Sequence, residues 1–307
     1  MKCALLGLPM QDGTDIPGCV MGPDALRTAG ITEALRDLGH SVQDLGNLSR
    51  PLPQPLPPHD NSALRNLGSV SAWTQSITQA AYEAAKHAEP PIFLGGDHSV
   101  SAGTIQAMSK RAAEQSQAQF VLWLDAHPDL HRLETTRSGN LHGTPLAYAL
   151  GLTSYSNQTA SDALIAAENV CLMGLRSVDP AERQIISDLR LDAHDMRAID
   201  EHGISKPLKA FLQRVSKANG RLHVSFDVDF LDPEIACAVG TTVPGGASFR
   251  EAHLVMELLH ESGLVTSLDL VELNPALDER GKTARLMVDL TASLLGRTIL
   301  DRPTWQF

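Results

Sequence analysis

Asp125, His127 and Asp129 stand at i, i+2 and i+4 directly after the apolar run Phe120 to Leu124. Such a run reads as a buried strand, and a carboxylate, an imidazole and a second carboxylate at its end suit a hard or borderline divalent cation. Asp227 and Asp229 repeat the spacing after Leu222, His223 and Val224, and they point the same way in an extended chain. A third word, Leu94-Gly95-Gly96-Asp97-His98-Ser99, puts a histidine at a strand-to-helix corner, where the glycine pair permits a sharp turn. His98, Asp125, His127, Asp129, Asp227 and Asp229 are too many ligands for one small tetrahedral site. Four carboxylates and two imidazoles suit two divalent ions about 3.5–4 Å apart, with bridging carboxylates and a hydroxide between them.

The elements that must position these residues alternate along the chain. Candidate strands lie at 2–8, 41–45, 91–94, 120–125, 169–175, 195–198, 221–227 and 265–272, with amphipathic helical patterns at 24–38, 63–87, 101–113, 204–218, 250–261 and 282–295. This alternation predicts an α/β fold: a three-layer αβα arrangement around a mainly parallel, roughly eight-stranded sheet. Ligands of such sheets gather at the carboxyl ends of the strands, where all three words fall. The stretch 48–61, with prolines at 51, 53, 55, 57 and 58, reads as an exposed extended loop. What precedes it is too short to bury a core, so residues 1–307 are read as one domain.

Composition narrows the class. In 307 residues, 43% hydrophobic and 20% charged content is ordinary for a globular protein, and no apolar run approaches the ~20 residues that span a bilayer. The N-terminal apolar stretch is too short for a signal peptide, which points to the cytoplasm. Cys3, Cys19, Cys171 and Cys237 show no paired spacing and are expected to be reduced. A net charge of −11 argues against nucleic acid and is compatible with a cationic substrate. Gly95-Gly96 lacks the Lys-Ser/Thr of a phosphate loop, and no Gly-x-Ser-x-Gly elbow accompanies Ser99 or Ser101. Asp97 is expected either to orient a ligand histidine or to cap the helix that begins near Ser99.

These words resemble the ureohydrolases, the arginase–agmatinase family, from end to end. The resemblance rests on Gly95-Gly96-Asp97-His98-Ser99, Asp125-Ala126-His127-Pro128-Asp129, Ser138-Gly139-Asn140-Leu141-His142-Gly143 and Ser225-Phe226-Asp227-Val228-Asp229. Gly174-Leu175-Arg176-Ser177-Val178-Asp179-Pro180 and the segment from Asp269 to Asp278 look most like the arginase branch. The resemblance implies hydrolysis of a guanidinium by attack of a metal-bridging hydroxide, with L-arginine giving urea and L-ornithine. Guanidinobutyrate, agmatine or N-hydroxyarginine is the alternative substrate. It implies two Mn²⁺ per chain, one held by His98, Asp125, Asp129 and Asp227, the other by His127, Asp125, Asp227 and Asp229. Glu272 then binds the guanidinium, His142 shuttles a proton, and Asp129 counts among the catalytic groups as well as the ligands. Asp179 would face an α-ammonium, Ser138 an α-carboxylate, and Asn140 and Thr241 belong to the substrate loops. His131 stands where arginases place an asparagine, and Ser177 where they often have an aspartate. The family likeness also implies a homotrimer or homohexamer.

Overall fold

Successive side chains along a strand point to opposite faces, and in this chain both faces are apolar. Cys3, Leu5, Leu122, Leu124, Val224 and Phe226 enter one core, whereas Leu6, Leu8, Phe93, Val121 and Trp123 lie among the buried residues of the opposite face. A sheet buried on both sides needs a helical layer on each. The computed structural model describes residues 1–156 and 163–301. Its strands are β1 (Lys2–Leu8), β2 (Ser41–Asn47), β3 (Pro91–Gly95), β4 (Gln119–Leu124), β5 (Val170–Leu175), β6 (Asp192–Asp195), β7 (Arg221–Asp227) and β8 (Val265–Val271). They form one sheet in the order β2-β1-β3-β8-β7-β4-β5-β6, and every neighbouring pair is parallel.

The helices are α1 (Gly22–Thr28), α2 (Ile31–Asp37), α3 (Leu67–His87), α4 (Val100–Glu114), α5 (Pro145–Ala149), α6 (Pro180–Leu189), α7 (Met196–His202), α8 (Ser205–Lys217), α9 (Phe249–Ser262) and α10 (Lys282–Leu294). Leu26 of α1, Phe211 of α8, Val255 of α9 and Leu290 of α10 belong to the first core. Trp73 and Ile77 of α3, Ile105 of α4 and Leu146 of α5 cover the other face. The three-layer, eight-stranded arrangement expected from the alternation is the one observed.

Several boundaries differ from expectation. The pattern at 24–38 is two helices, because Gly30 takes φ 91° between them. The strand expected at 195–198 lies at 192–195, and Asp195 instead accepts from Ala198 N at 2.8 Å to start α7. Leu67 rather than residue 63 opens α3, after Asn66 in the left-handed region. The proline-rich stretch is extended and mostly exposed, yet it is pinned where Gln54 N donates to Gly68 O at 2.9 Å. All four cysteines are free. No helix among the described residues is long and apolar enough to cross a membrane.

Strand position sets the energetic weight of each side chain. Leu222 on central β7 is fully buried, whereas Val42 lies on β2 at the sheet edge. Leu222→Ala should therefore cost about 2–5 kcal/mol in urea denaturation, and Val42→Ala should cost clearly less. Equal losses would contradict this core assignment.

Candidate metal centre

Four adjacent strands deliver the chemistry. β3 ends just before His98, β4 runs into Asp125, β7 ends at Asp227, and β8 runs into Glu272. The strand order turns here, since chain-distant β8 and β7 lie between β3 and β4, and such a seam opens a crevice at the carboxyl ends. His98 Nδ1 lies 3.1 Å from Asp125 Oδ2, 3.1 Å from Asp129 Oδ2 and 3.0 Å from Asp227 Oδ2. His127 Nδ1 lies 3.0 Å from Asp229 Oδ2 and 3.4 Å from Asp125 Oδ1. Asp125 thus turns one oxygen to each histidine, and two ligand nests share it. All six ligands expected from the sequence come together.

The nests are built rigidly. Trp123 stacks on His98 with ring centroids 4.1 Å apart and planes 5° from parallel, and its Nε1 donates to Asp125 Oδ2 at 2.9 Å. Backbone N–H groups fix the acids: His127 N donates to Asp125 Oδ1, Asp229 N to Asp227 Oδ1 and Ala126 N to Asp229 Oδ1, at 2.6, 2.7 and 3.0 Å. Asp129 and Glu272 hold left-handed backbone conformations, φ 49° and 63°. Non-glycine residues adopt these at a cost of order 1–3 kcal/mol where surrounding contacts enforce them. Here Ala147 N donates to Asp129 O, and Glu272 N to Gly96 O at 2.8 Å.

Electrostatics and donor chemistry test whether cations fit. Burial, then the charges of Asp229 and Asp125, push the Asp227 carboxyl well above its usual range. Burial and Asp125 push Asp229 up to about 6 and raise Asp129 as well. Burial opposes a charge on His127, but Asp229 and Asp125 overcome it and raise the imidazole to about 12. His98 is raised for the same reason, burial being outweighed by Asp125, Asp129 and Asp227. Its Nδ1 is buried without a well-formed hydrogen bond, although three carboxylates converge on it. Acids that crowd one another, and imidazole nitrogens aimed into them, are what a pair of divalent cations would reconcile. The residues present fit two such ions.

Above the nests lies a cavity lined by His98, Asp125, His127, Asp129 and Asp227 at its base. His131, Ser138, Asn140, His142, Asp179 and Thr241 line it higher up, whereas Glu272, expected to bind the guanidinium, does not border it. Glu272 and Asp229 lie behind that lining. Glu272 Oε1 accepts from His98 N at 2.7 Å and lies 3.0 Å from His142 Nδ1, while Oε2 receives the Cys19 thiol at 3.5 Å. Burial disfavours a charged His142, but Glu272 outweighs it and raises the imidazole to about 9. His131 Nε2 sits 3.1 Å from Asp179 Oδ2, and its Nδ1 3.1 Å from Thr135 Oγ1. Thr241 Oγ1 donates to Asp229 Oδ2 at 3.3 Å, and Asn140 Nδ2 to Asp15 Oδ1 at 2.9 Å. Asp97 orients no ligand histidine. Its carboxylate accepts from Gly13 N and Ser99 N, tying the N-terminal loop to the start of α4.

Other contributors were missed in the sequence. Glu182 accepts from Asp179 N at 3.0 Å and from Leu130 N at 3.1 Å, joining α6 to the ligand loop, and burial raises its carboxyl to about 7. An acid three residues after Asp179-Pro180 is a helix-start signal that would have found it. Asn61 and Arg65 carry no such signal. Asn61 Nδ2 donates to Leu133 O at 2.7 Å and Thr136 O at 3.0 Å, and Arg65 donates to Gly139 O and Ser138 O. At Gly139, φ is 73° and an added Cβ would fall 1.7 Å from Ala63 O, so the two loops pack backbone to backbone.

Comparison with known proteins agrees with this geometry. The profile of the arginase family matches residues 1–296. An arginase from Agrobacterium fabrum is 58% identical over 305 residues, covering 99% of this chain and 94% of that protein. The native arginase structure from Bacillus caldovelox superposes with a TM-score of 0.89 at 36% identity, covering 97% of this chain and 99% of the other. An Entamoeba histolytica arginase in complex with L-ornithine superposes at 0.87 and 28% identity, covering 96% and 99%.

The 61–65 segment braces the rim of the cavity. Asn61→Ala should cost about 1–3 kcal/mol of stability and speed hydrogen exchange across 133–140. Unchanged exchange there would show that the brace carries no weight.

Proposed function

The chain belongs to the arginase family of ureohydrolases, and on that premise we propose that it hydrolyses the guanidinium of L-arginine to urea and L-ornithine. The observation that carries this reading is the pair of histidine–carboxylate nests sharing Asp125 at the base of the cavity. His98, Asp125, Asp129 and Asp227 would hold one divalent ion, and His127, Asp125, Asp227 and Asp229 the other. Their oxygen-rich donor set favours Mn²⁺ over Zn²⁺. Two such cations would supply Lewis acidity, which lowers the pKa of bound water toward neutrality.

The protein's own groups do the rest. A guanidinium is planar, delocalised and always charged, so it is a poor electrophile that must be held with its carbon fixed. Glu272, just behind the ligand set, is a carboxylate that two divalent ions would leave uncancelled, and it would supply negative charge for that cation. His142, tied through Nδ1 to Glu272, whose charge favours its protonated form, would give a proton to the departing amine. At the outer end Asp179 would receive an α-ammonium, while Ser138 and Asn140 would face an α-carboxylate.

One contact favours a second reading. His131 engages Asp179 at 3.1 Å, and Ser177 adds no charge beside it, so the ammonium acceptor is already partnered. A guanidino compound without an α-ammonium, such as guanidinobutyrate, makes less demand on that corner. The sheet draws strands from residue 2 to residue 271, which supports reading the chain as one catalytic unit. Four free cysteines suit a reducing cytoplasm, and family likeness alone supports a homotrimer or homohexamer.

Urea release from arginine, agmatine, N-hydroxyarginine and guanidinobutyrate, measured after chelation and again after Mn²⁺ is restored, separates the readings. Arginine turnover that vanishes on chelation and returns with Mn²⁺ is expected; turnover of guanidinobutyrate with none of arginine would displace it. His142→Ala should lower kcat by about 10²–10⁴-fold with metal content intact. Loss of metal in that variant would reassign His142 to the centre's construction.

A further inference from the structure

A line of buried hydroxyls leads from His98 away from the cavity to a carboxylate that does not line it. His98 Nε2 lies 2.8 Å from Ser225 Oγ, Ser225 Oγ lies 3.2 Å from Ser101 Oγ, and Ser101 Oγ lies 2.6 Å from Asp269 Oδ2. Thr104 Oγ1 donates to the same Asp269 oxygen at 2.7 Å. At the far end His223 spans Asp269 Oδ2 at 3.1 Å and Ser267 Oγ at 2.8 Å. Every one of these side chains is buried, and among the described residues Asp269 Oδ1 has no hydrogen-bond partner. A buried, half-satisfied carboxylate is costly and calls for an explanation.

Proton counting supplies one. Each serine hydroxyl has a single proton to donate, and a carboxylate only accepts. Ser101 spends its proton on Asp269, so the proton between the two serines belongs to Ser225. Ser225 then has none left for His98, and its oxygen must accept from Nε2–H. Nδ1 is thereby left as the nitrogen that faces Asp125, Asp129 and Asp227. We propose that Asp269, acting through Ser101 and Ser225, is a positioning residue that locks His98 in the Nε2–H form and so presents the Nδ1 lone pair to a metal ion. Thr104 shares the carboxylate but stands outside the line, which makes it the natural control. The inference rests on the metal centre proposed above and is independent of which guanidino compound is the substrate.

Mn²⁺ binding, followed through the electron paramagnetic resonance signal of the free ion, tests the line without reference to turnover. Ser101→Ala should weaken one of the two ions by about 10–100-fold, the usual reach of a residue that orients a metal ligand. Ser101→Thr, which keeps the hydroxyl, should restore it, and Thr104→Val should leave both affinities within about twofold of the unmutated chain. In an Asp269→Leu background, Ser101→Ala should add little. Unchanged binding in Ser101→Ala, or equal weakening in Thr104→Val, overturns the proposal. The unmutated protein gives an independent reading: with diamagnetic Zn²⁺ bound, ¹⁵N spectra should show His98 protonated at Nε2, and a proton at Nδ1 also overturns it. A chain that takes up no metal at all removes the centre and this inference together, whereas metal uptake without arginine hydrolysis leaves the inference standing.

Discussion

Like charges a few ångströms apart in a protein interior repel strongly. Two carboxylates at 4 Å do so by about 4 kcal/mol at an effective dielectric near 20. This chain turns Asp125, Asp129 and Asp227 toward one histidine nitrogen and Asp125 and Asp229 toward another, all of them buried. Much of the surrounding structure can be understood as holding them there. The acids stand at the ends of neighbouring strands whose register the sheet fixes, and backbone N–H groups point into three of them. Asp129 is held in the left-handed backbone region at φ 49°. Cations convert the same crowding from repulsion into affinity, which is why rigidity and metal binding belong to one arrangement.

The parts legible in the sequence are those where local spacing and final geometry coincide. Asp125, His127 and Asp129, and likewise Asp227 and Asp229, advertise themselves because alternate residues at a strand end share a direction. The apolar runs of β1, β4 and β7 were plain for the same reason. β6 was misplaced because Asp192-Ala193-His194-Asp195 is a polar edge segment with no apolar run. The split between α1 and α2 turned on the conformation of Gly30 alone. Asn61, Arg65 and the pair Ser101 and Asp269 were out of reach for a different reason. Their partners lie 72 to 168 residues away, and a side chain's meaning at that distance exists only once the chain is folded. Glu272 follows the end of β8, as a strand-terminal acid should, but its position behind His142 exists only in the folded chain.

The cavity divides into a base and a rim of different character. The base is fixed by the sheet and by hydrogen bonds to backbone, so its chemistry tolerates little variation. The rim is built from the loop at 131–140, the turn into α6 and the loop containing Thr241, held together by side chains such as Arg176, whose guanidinium donates to Val243 O at 2.8 Å. His131 and Ser177 both belong to the rim. The two departures named, His131 and Ser177, thus fall in the part that, on the proposed reading, would meet the far end of a substrate.

The strand order bears on how the molecule comes into being. β8 is the last strand to be synthesised, yet it lies between β3 and β7 in the middle of the sheet. Before it inserts, a nascent chain can carry His98 on one partial sheet and the acids of β4 and β7 on another, linked through α4 but with no strand pairing between them. Pairings of such long sequence separation form late and slowly. The β4–β7 fragment already carries His127, Asp125, Asp227 and Asp229, so a chain emerging from the ribosome meets cellular metal with one proposed ligand set assembled and the other lacking His98. The set that includes His98 closes only when the C-terminal strand slides into the gap between β3 and β7, and a truncated product that stops short of it lacks the strand that holds His98 in register with the acids.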